Sequence, residues 1–309
     1  MGKQSANQKR LWRLAYAAAL AGLGYAYHAL SQGRSVRSKL LHDGHKLAQL
    51  KDYWQDGDQI KEELIREAKA LGAGLLSSDQ AARYNMDLKQ TSAGAYYEMI
   101  SPARQKGPAL IYWHGGKRVQ AVSDREWYFL KQLVDRLQVP CYIPVIQPLT
   151  LSTLDEEADR LADLVQEILV NEDLPSFNFL ASDSGALFSL ALAPRFRGSL
   201  QGQVLLSPWL AGPSESPEES LENQAIKSLF ETQAASLLLD QTDFSQVAPT
   251  RFIVGTADSE QASSLKTYQR LRAKAVPSQF YRFDLMAADF YLYPMPEQEE
   301  VMELLEESL

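Results

Sequence analysis

The chain has 309 residues, of which 45% are hydrophobic and 23% charged, a balance that is typical of globular proteins and excludes a disordered one. Its formal net charge is −8, and an acidic chain of this kind argues against a nucleic-acid partner. The single cysteine, Cys141, excludes an internal disulfide framework and a cysteine-based zinc cluster, and the sequence indicates no metal site and no cofactor.

The N-terminus differs in charge from the rest of the chain. Residues 1–42 contain seven basic residues and no acidic ones, whereas the remainder carries 24 basic and 39 acidic residues. Leu14–Gly33 is a run of 20 residues without a formal charge, and a helix of about 20 apolar residues spans a bilayer. We therefore predict that residues 1–33 are a basic and hydrophobic membrane anchor, which makes the protein membrane-associated. A secretory signal and a soluble alanine-rich helix are the alternatives, the last with a cytoplasmic location.

Residues 34–94 are predicted to form a helical, cap-like region. Within it, residues 49–71 follow the pattern of an amphipathic helix that carries Tyr53, Ile60, Leu64 and Ala68 on one face among many charges.

From Ala95 to the C-terminus, short apolar runs alternate with helical patterns. The predicted strands are Ala95–Ile100, Ala109–Trp113, Pro140–Ile146, Phe177–Ser182, Gln203–Leu206, Arg251–Gly255 and Gln279–Phe283. The predicted helices are Asp124–Leu137, Leu154–Val170, Gly185–Ala193, Glu260–Ala273 and Gln298–Leu309, and a further helical stretch, Leu221–Leu239, is either a lid or a helix on the sheet. This alternation predicts an α/β domain over residues 95–309, with a mostly parallel, doubly wound sheet covered by helices on both faces.

Three segments that can carry chemistry each follow a predicted strand. They are, in chain order, His114-Gly115-Gly116, the turn Ser182-Asp183-Ser184-Gly185-Ala186, and Asp258. A serine hydroxyl becomes an effective nucleophile when a neighbouring base takes its proton, and small residues around it allow a tight turn from strand to helix. Glycines after a strand let backbone N–H groups approach a substrate oxygen.

This order resembles the α/β-hydrolase fold, specifically the hormone-sensitive-lipase-like acetyl esterases and lipases, from roughly Ala95 to the C-terminus. The resemblance implies that Ser184 is the nucleophile and Asp258 the acid of a triad. It also implies that His114, Gly115, Gly116 and Gly185 bind the oxyanion and the substrate, which would be a small acyl ester or another apolar ligand.

The chain departs from that family at several catalytic positions. No histidine follows Ser184, because the four histidines are His28, His42, His45 and His114. The position of the family's histidine falls on Ala288, and the third glycine of the oxyanion loop is replaced by Lys117.

These departures leave two main hypotheses. The first is a catalytically impaired protein with a hydrolase fold that acts by binding its ligand. The alternative is an active serine carboxylesterase in which Ser184 uses a non-standard base, for example His42 or His45, which a helix would present on one face, or Asp289. A serine that is acylated slowly but not turned over is a third, weaker option.

Overall fold

The computed structural model describes residues 4–49, 57–71, 75–101, 108–210, 224–226, 228–229 and 239–309. Eight strands in these ranges form one sheet. They are β1 (Met86–Gln90), β2 (Ala95–Met99), β3 (Ala109–Trp113), β4 (Cys141–Pro144), β5 (Phe177–Ser182), β6 (Leu200–Leu206), β7 (Thr250–Gly255) and β8 (Ser278–Phe283).

The strand order across the sheet is β1-β2-β4-β3-β5-β6-β7-β8. Strand β2 runs antiparallel to both β1 and β4, and all the other neighbouring pairs are parallel. The carboxyl ends of β3, β5, β6, β7 and β8 therefore lie along the same edge of the sheet, where ligand sites of parallel sheets are found.

Helices cover both faces of the sheet. In the described ranges they are α1 (Gln4–Ser31), α2 (Val36–Gln49), α3 (Gly57–Ala70), α4 (Ser78–Arg83), α5 (Asp124–Leu137), α6 (Leu154–Asn171), α7 (Gly185–Leu192), α8 (Gln261–Ala273) and α9 (Pro296–Glu306). Successive strand residues point to opposite faces, so Ile111 and Trp113 pack in one core with α6 and α7. Leu110 and Tyr112 pack in a second core with α5 and α9.

The prediction of a mostly parallel, doubly wound sheet with helices on both faces is confirmed, and each predicted strand and helix between Ala95 and Leu309 appears within three residues of its expected bounds. Local signals explain this agreement. Ser123 caps α5, and Thr153 and Glu156 form a capping box at the start of α6. Of the Leu221–Leu239 stretch, most residues lie outside those described.

The region 34–94 contains a strand that the sequence does not predict. Strand β1 lies at the edge of the sheet, and only Met86 among its five residues is buried. An edge strand with one buried residue lacks the alternation that marks a half-buried strand. In α3, three residues of the predicted apolar face, Ile60, Leu64 and Ala68, are buried, whereas the fourth, Tyr53, lies outside the described residues. The boundaries 1–33, 34–94 and 95–309 remain predictions.

Helix α1 corrects the prediction for the N-terminus. The helix has 28 residues and thus sufficient length, but it is composed largely of alanine, glycine and polar residues. None of the helices in the described ranges joins bilayer-spanning length to sufficient hydropathy. The prediction that Leu14–Gly33 is a membrane anchor, and that the protein is membrane-associated through it, is therefore wrong.

The chain that follows α1 is held against the loop after β8. Arg34 donates from Nη1 to the carbonyl oxygen of Leu285 at 3.0 Å, and the Ser38 hydroxyl lies 3.1 Å from Sδ of Met286. The backbone N–H and the hydroxyl of Ser35 both donate to the carboxylate of Glu297, at 2.8 and 2.9 Å. The N-terminal region thereby supports the loop that contains Ala288.

Candidate active site

The turn between β5 and α7 places Asp183 at its tip. Asp183 has φ of 44°, the left-handed backbone that a sharp strand-to-helix turn imposes, whereas Ser184 is in the ordinary helical region with φ of −69° and ψ of −17°. A Cβ added to Gly185 would lie 2.2 Å from the carbonyl oxygen of Trp113, so α7 starts too close to β3 for any side chain there. The small residues two before and two after the tip are therefore Ala181 and Gly185.

This turn differs by one residue from the expectation that centred it on Ser184. In the structure, Ser184 is the residue after the tip and precedes the first turn of α7. The sequence analysis did not identify Asp183 as the tip, because turns centred on Asp183 and on Ser184 both have small residues two positions before and two positions after the centre. Gly185 distinguishes the two alternatives, since it occupies the position at which α7 comes closest to β3.

The loop after β3, which the resemblance predicts to bind an oxyanion, binds the side chains of this turn. The backbone N–H of Gly116 donates to Oδ2 of Asp183 at 3.2 Å, and the N–H of Lys117 donates to the hydroxyl of Ser184 at 2.8 Å. The ammonium of Lys117 lies 3.8 Å from Oδ1 of Asp183, and both side chains are largely buried, at 17% and 20% exposure. A Cβ on Gly115 would be 2.8 Å from Cβ of Asp183, which explains a glycine at that position.

The buried carboxylate of Glu126 binds the backbone of the loop after β3. Oε1 of Glu126, on α5, accepts from the hydroxyls of Tyr112 and Ser182, both at 2.6 Å, and from the N–H of Gly115 at 3.2 Å. These three donors compensate a carboxylate that is only 7% exposed. The sequence analysis did not single out Glu126, although an acid on the apolar side of an amphipathic helix is a signal for such a role.

His114 is placed to orient the loop. Its Nδ1 donates to the carbonyl oxygen of Gly115 at 2.9 Å, and its ring lies against the indole of Trp127 with 6.4 Å between centroids. Burial lowers the pKa of His114, although the negative charge of Glu126 opposes that shift, so the imidazole is neutral at neutral pH.

Two further carboxyl groups lie in the electrostatic field of Asp183. Asp258 follows β7, and its Oδ1 accepts from the N–H of Glu260 at 2.9 Å, while its Oδ2 is buried without a hydrogen-bond partner among the described residues. Burial raises the pKa of Asp258 to about 7, and the charges of Glu260 and Asp183 add to the effect. A carboxyl group with a pKa in this range exchanges its proton near neutral pH.

Asp289 follows Ala288 in the loop after β8. Its φ is 57°, its backbone N–H donates to the hydroxyl of Ser207 at 3.3 Å, and its Oδ1 accepts from the hydroxyl of Tyr291 at 3.3 Å. Burial raises the pKa of Asp289 to about 7, the negative charge of Asp183 contributes to the shift, and Lys117 opposes it.

The structure thus brings together His114, Gly115, Gly116, Ser184, Gly185, Asp258 and the loop of Ala288. The hydroxyl of Ser184 accepts from Lys117, and in the part of the chain that the structure describes no imidazole contacts it. His42 lies in α2, and the side chain of His45 is not among those described. Among the described residues, no group of three histidine, cysteine or acidic side chains is arranged to hold a metal ion.

Comparison with known proteins gives structural matches only. No protein-family model and no curated protein sequence matches the chain. Its structure is similar to a putative esterase from Staphylococcus aureus, with a TM-score of 0.69 at 14% identity over 82% of this chain and 93% of that one.

Two further esterases give similar values. Carboxyl esterase 2 from the fungus Tuber melanosporum has a TM-score of 0.63 at 16% identity, over 72% of this chain and 85% of that one. An esterase from the bacterial hormone-sensitive lipase family has a TM-score of 0.62 at 16% identity, over 81% of this chain and 96% of that one. With the strand order and the turn at Asp183, these similarities identify the fold of this chain as the α/β-hydrolase fold.

Proposed function

We propose that this protein is a non-hydrolytic protein with the fold of the esterases, which acts by binding a small acyl ester or another apolar ligand. The observation that carries the proposal is the carboxylate of Asp183 at the tip of the turn, where it accepts from the N–H of Gly116 and faces the ammonium of Lys117. Acyl transfer needs those donors free for the oxygen on which negative charge develops. Here they bind a charge that belongs to the protein.

The same charge opposes ester cleavage in a second way. A negative oxygen that develops near the Asp183 carboxylate is destabilised by like-charge repulsion, and burial strengthens that repulsion. In addition, Ala288 provides no proton acceptor for Ser184, and loss of the base alone reduces turnover about a million-fold in a serine protease.

The test is hydrolysis of p-nitrophenyl acetate by the full chain beside its Ser184→Ala variant. We expect both proteins to give the same rate, equal to that of buffer with an inert protein at the same concentration. Turnover that the full chain shows and Ser184→Ala lacks would overturn the proposal.

An active esterase is the second candidate, and the pKa of Asp289 is the observation that favours it. A carboxylate with a pKa of about 7 is matched to general-base work near neutral pH, whereas an ordinary aspartate is not. Its hydrogen-bond partners are Ser207 and Tyr291 rather than Ser184, which favours the first candidate. In the same assay, this esterase would lose its activity on Asp289→Asn as well as on Ser184→Ala.

A further inference from the structure

Helix α1 exposes its large apolar side chains and buries a small one. Leu20, Leu23, Tyr27 and Leu30 are between 51 and 76% exposed, whereas Ala29 is fully buried. A surface helix ordinarily turns its large apolar residues toward the core of its own domain. Since residues three and four apart are neighbours on a helix, the four exposed side chains form one continuous row, hereafter the α1 stripe. An exposed apolar surface of this sort marks an interaction site.

The opposite side of α1 is already bound to the rest of the chain. The hydroxyl of Tyr25 donates to Oδ2 of Asp43, on α2, at 2.6 Å. Nζ of Lys39 lies 4.5 Å from the centre of the Tyr25 ring and donates to the same Asp43 oxygen at 2.8 Å. These contacts fix the rotation of α1 about its own axis, so the α1 stripe cannot turn inward without breaking them.

The spacing of the α1 stripe is that of a seam between two helices. Its intervals are three, four and three residues, which are those of the a and d positions of a heptad. The flanking positions are all small, and a Cβ added to one of them, Gly24, would meet no atom within 4 Å; the four are Ala19, Gly24, Ala26 and Ser31. A lipid surface accommodates a wide apolar face, whereas a narrow seam with small flanks lets a second helix approach closely.

The symmetry of this spacing favours a second copy of the chain over an unrelated helix. The intervals are the same in either direction along α1, so the stripe is complementary to itself in an antiparallel pair. With the two-fold axis at the height of Tyr25, Leu20 of one copy lies against Leu30 of the other, and Leu23 against Tyr27. Each stripe residue then has a partner, as the isologous interface of a two-fold dimer requires.

The charges of α1 favour the antiparallel arrangement. Lys9, Arg10 and Arg13 stand in the first half of the helix, which contains no acidic residue, and a parallel pair would set these charges side by side. In an antiparallel pair, the basic end of each helix lies beside the C-terminal end of the other, where the helix dipole is negative. That end leads into the acidic part of the second copy, since residues 43–309 carry 24 basic and 39 acidic residues.

We propose that the α1 stripe is a dimer interface, which binds the α1 stripe of a second copy of this chain as an antiparallel helix pair. The proposal goes beyond the function proposed for the candidate active site and does not depend on it. A result from the hydrolysis assay therefore leaves the dimer proposal unchanged.

The first experiment is sedimentation equilibrium of the full chain at tens of micromolar. We expect the mass of two chains, against 34.6 kDa for one. A single-chain mass at this concentration would overturn the proposal. If that monomer also binds vesicles of anionic phospholipid, and loses the binding when the α1 stripe is altered, the stripe is a lipid-binding surface instead.

A pair of matched variants locates the interface. Leu23→Glu/Leu30→Glu places charges in the seam, and both positions are exposed in the single chain, so we expect the helical circular dichroism to be unchanged. Dimerisation should weaken at least about a hundredfold, because each copy loses two leucines that the interface would bury. Ala18→Glu/Ala21→Glu adds the same charges at exposed positions of α1 outside the stripe and should remain dimeric. Equal dissociation constants for the two variants would contradict the proposal.

Cysteine cross-linking tests the orientation of the two helices. Chains that carry Leu20→Cys and Leu30→Cys should form disulfide-linked dimers when they are mixed and oxidised. Neither variant should do so alone, because identical positions at the ends of the stripe lie about 15 Å apart along an antiparallel pair, beyond the reach of a disulfide. The native Cys141 is fully buried and does not interfere. Cross-linking of Leu20→Cys with itself would show a parallel pair and overturn the antiparallel arrangement.

Discussion

At the scale of single residues, the proposed function rests on Asp183 and Ala288. Under that proposal, the Asp183 carboxylate occupies a donor that acyl transfer needs, and Ala288 offers no side chain that accepts a proton. Each of the two residues alone would then suppress attack by a serine, so a variant that corrects only one of them would keep the other defect.

We therefore expect that only the double variant Asp183→Ser/Ala288→His hydrolyses p-nitrophenyl acetate. A serine at the tip frees the N–H of Gly116 and the ammonium of Lys117 from the carboxylate, and the histidine is expected to supply the base. General-base assistance contributes about a hundredfold or more, and that is the gain expected over either single variant. The measurement is initial rate at pH 8.

The single variants Asp183→Ser and Ala288→His are the controls, and both should remain at the background rate. Full activity in Ala288→His alone would mean that Ser184 is the nucleophile after all and that the turn is read one residue too early.

At the scale of structural elements, the site depends on how closely α7 approaches β3. The glycine at the first position of α7 lies against the carbonyl oxygen of Trp113, and this contact fixes which residue stands at the tip of the turn. This contact between two backbones is rigid, because backbone atoms cannot move apart by a change of side-chain rotamer.

We expect Gly185→Ala to lower the free energy of unfolding by at least about 1–3 kcal/mol, the usual cost of forcing an extra methyl into a packed interior. Gly202→Ala is the matched control, because its added Cβ would be 3.5 Å from the nearest atom, an ordinary contact. Urea unfolding of both variants gives the comparison. Equal stability of the two would show that α7 can move away from β3.

The strands and helices also show how much of the fold can be predicted from the sequence alone. The strands β3 and β5 and the helix α5 are predicted at their observed bounds, since apolar runs and a Ser123 cap mark them clearly. Strand β1 is missed because its side chains are mostly exposed. The register of the turn at residues 181–185 is missed because a serine lies beside the tip, and the two registers are distinguished by the left-handed backbone of Asp183 and by the close approach of Gly185 to β3.

At the scale of the whole molecule, the buried carboxyl groups make stability depend on pH. Asp258 has its pKa raised to about 7 in the folded protein, against about 3.9 in an unfolded chain. Between these values the folded state binds more protons than the unfolded state, so this group makes stability fall as pH rises from about 4 to about 7.

Asp258→Asn should remove this contribution while Oδ1 still accepts from Glu260. Compared with the parent, the variant should gain about 3 kcal/mol of unfolding free energy between pH 4.5 and pH 8. Glu156→Gln is a control of opposite sign, because hydrogen bonds from Thr153 lower the pKa of Glu156 and stabilise the protein above the unfolded pKa. Urea unfolding at the two pH values measures both. Parallel curves for Asp258→Asn and the parent would contradict the raised pKa.

The carboxylate of Asp183 also bears on how this protein could change by natural mutation. Neither Asp183→Ser nor Ala288→His is reachable by altering a single nucleotide of its codon, and under the proposed function neither is expected to confer hydrolysis without the other. Selection for esterase activity would thus have to act on intermediates that show none of it. If the proposed function holds, this chain would have to pass through inactive sequences before it could hydrolyse esters, whereas changes that tune a bound ligand could be selected one at a time.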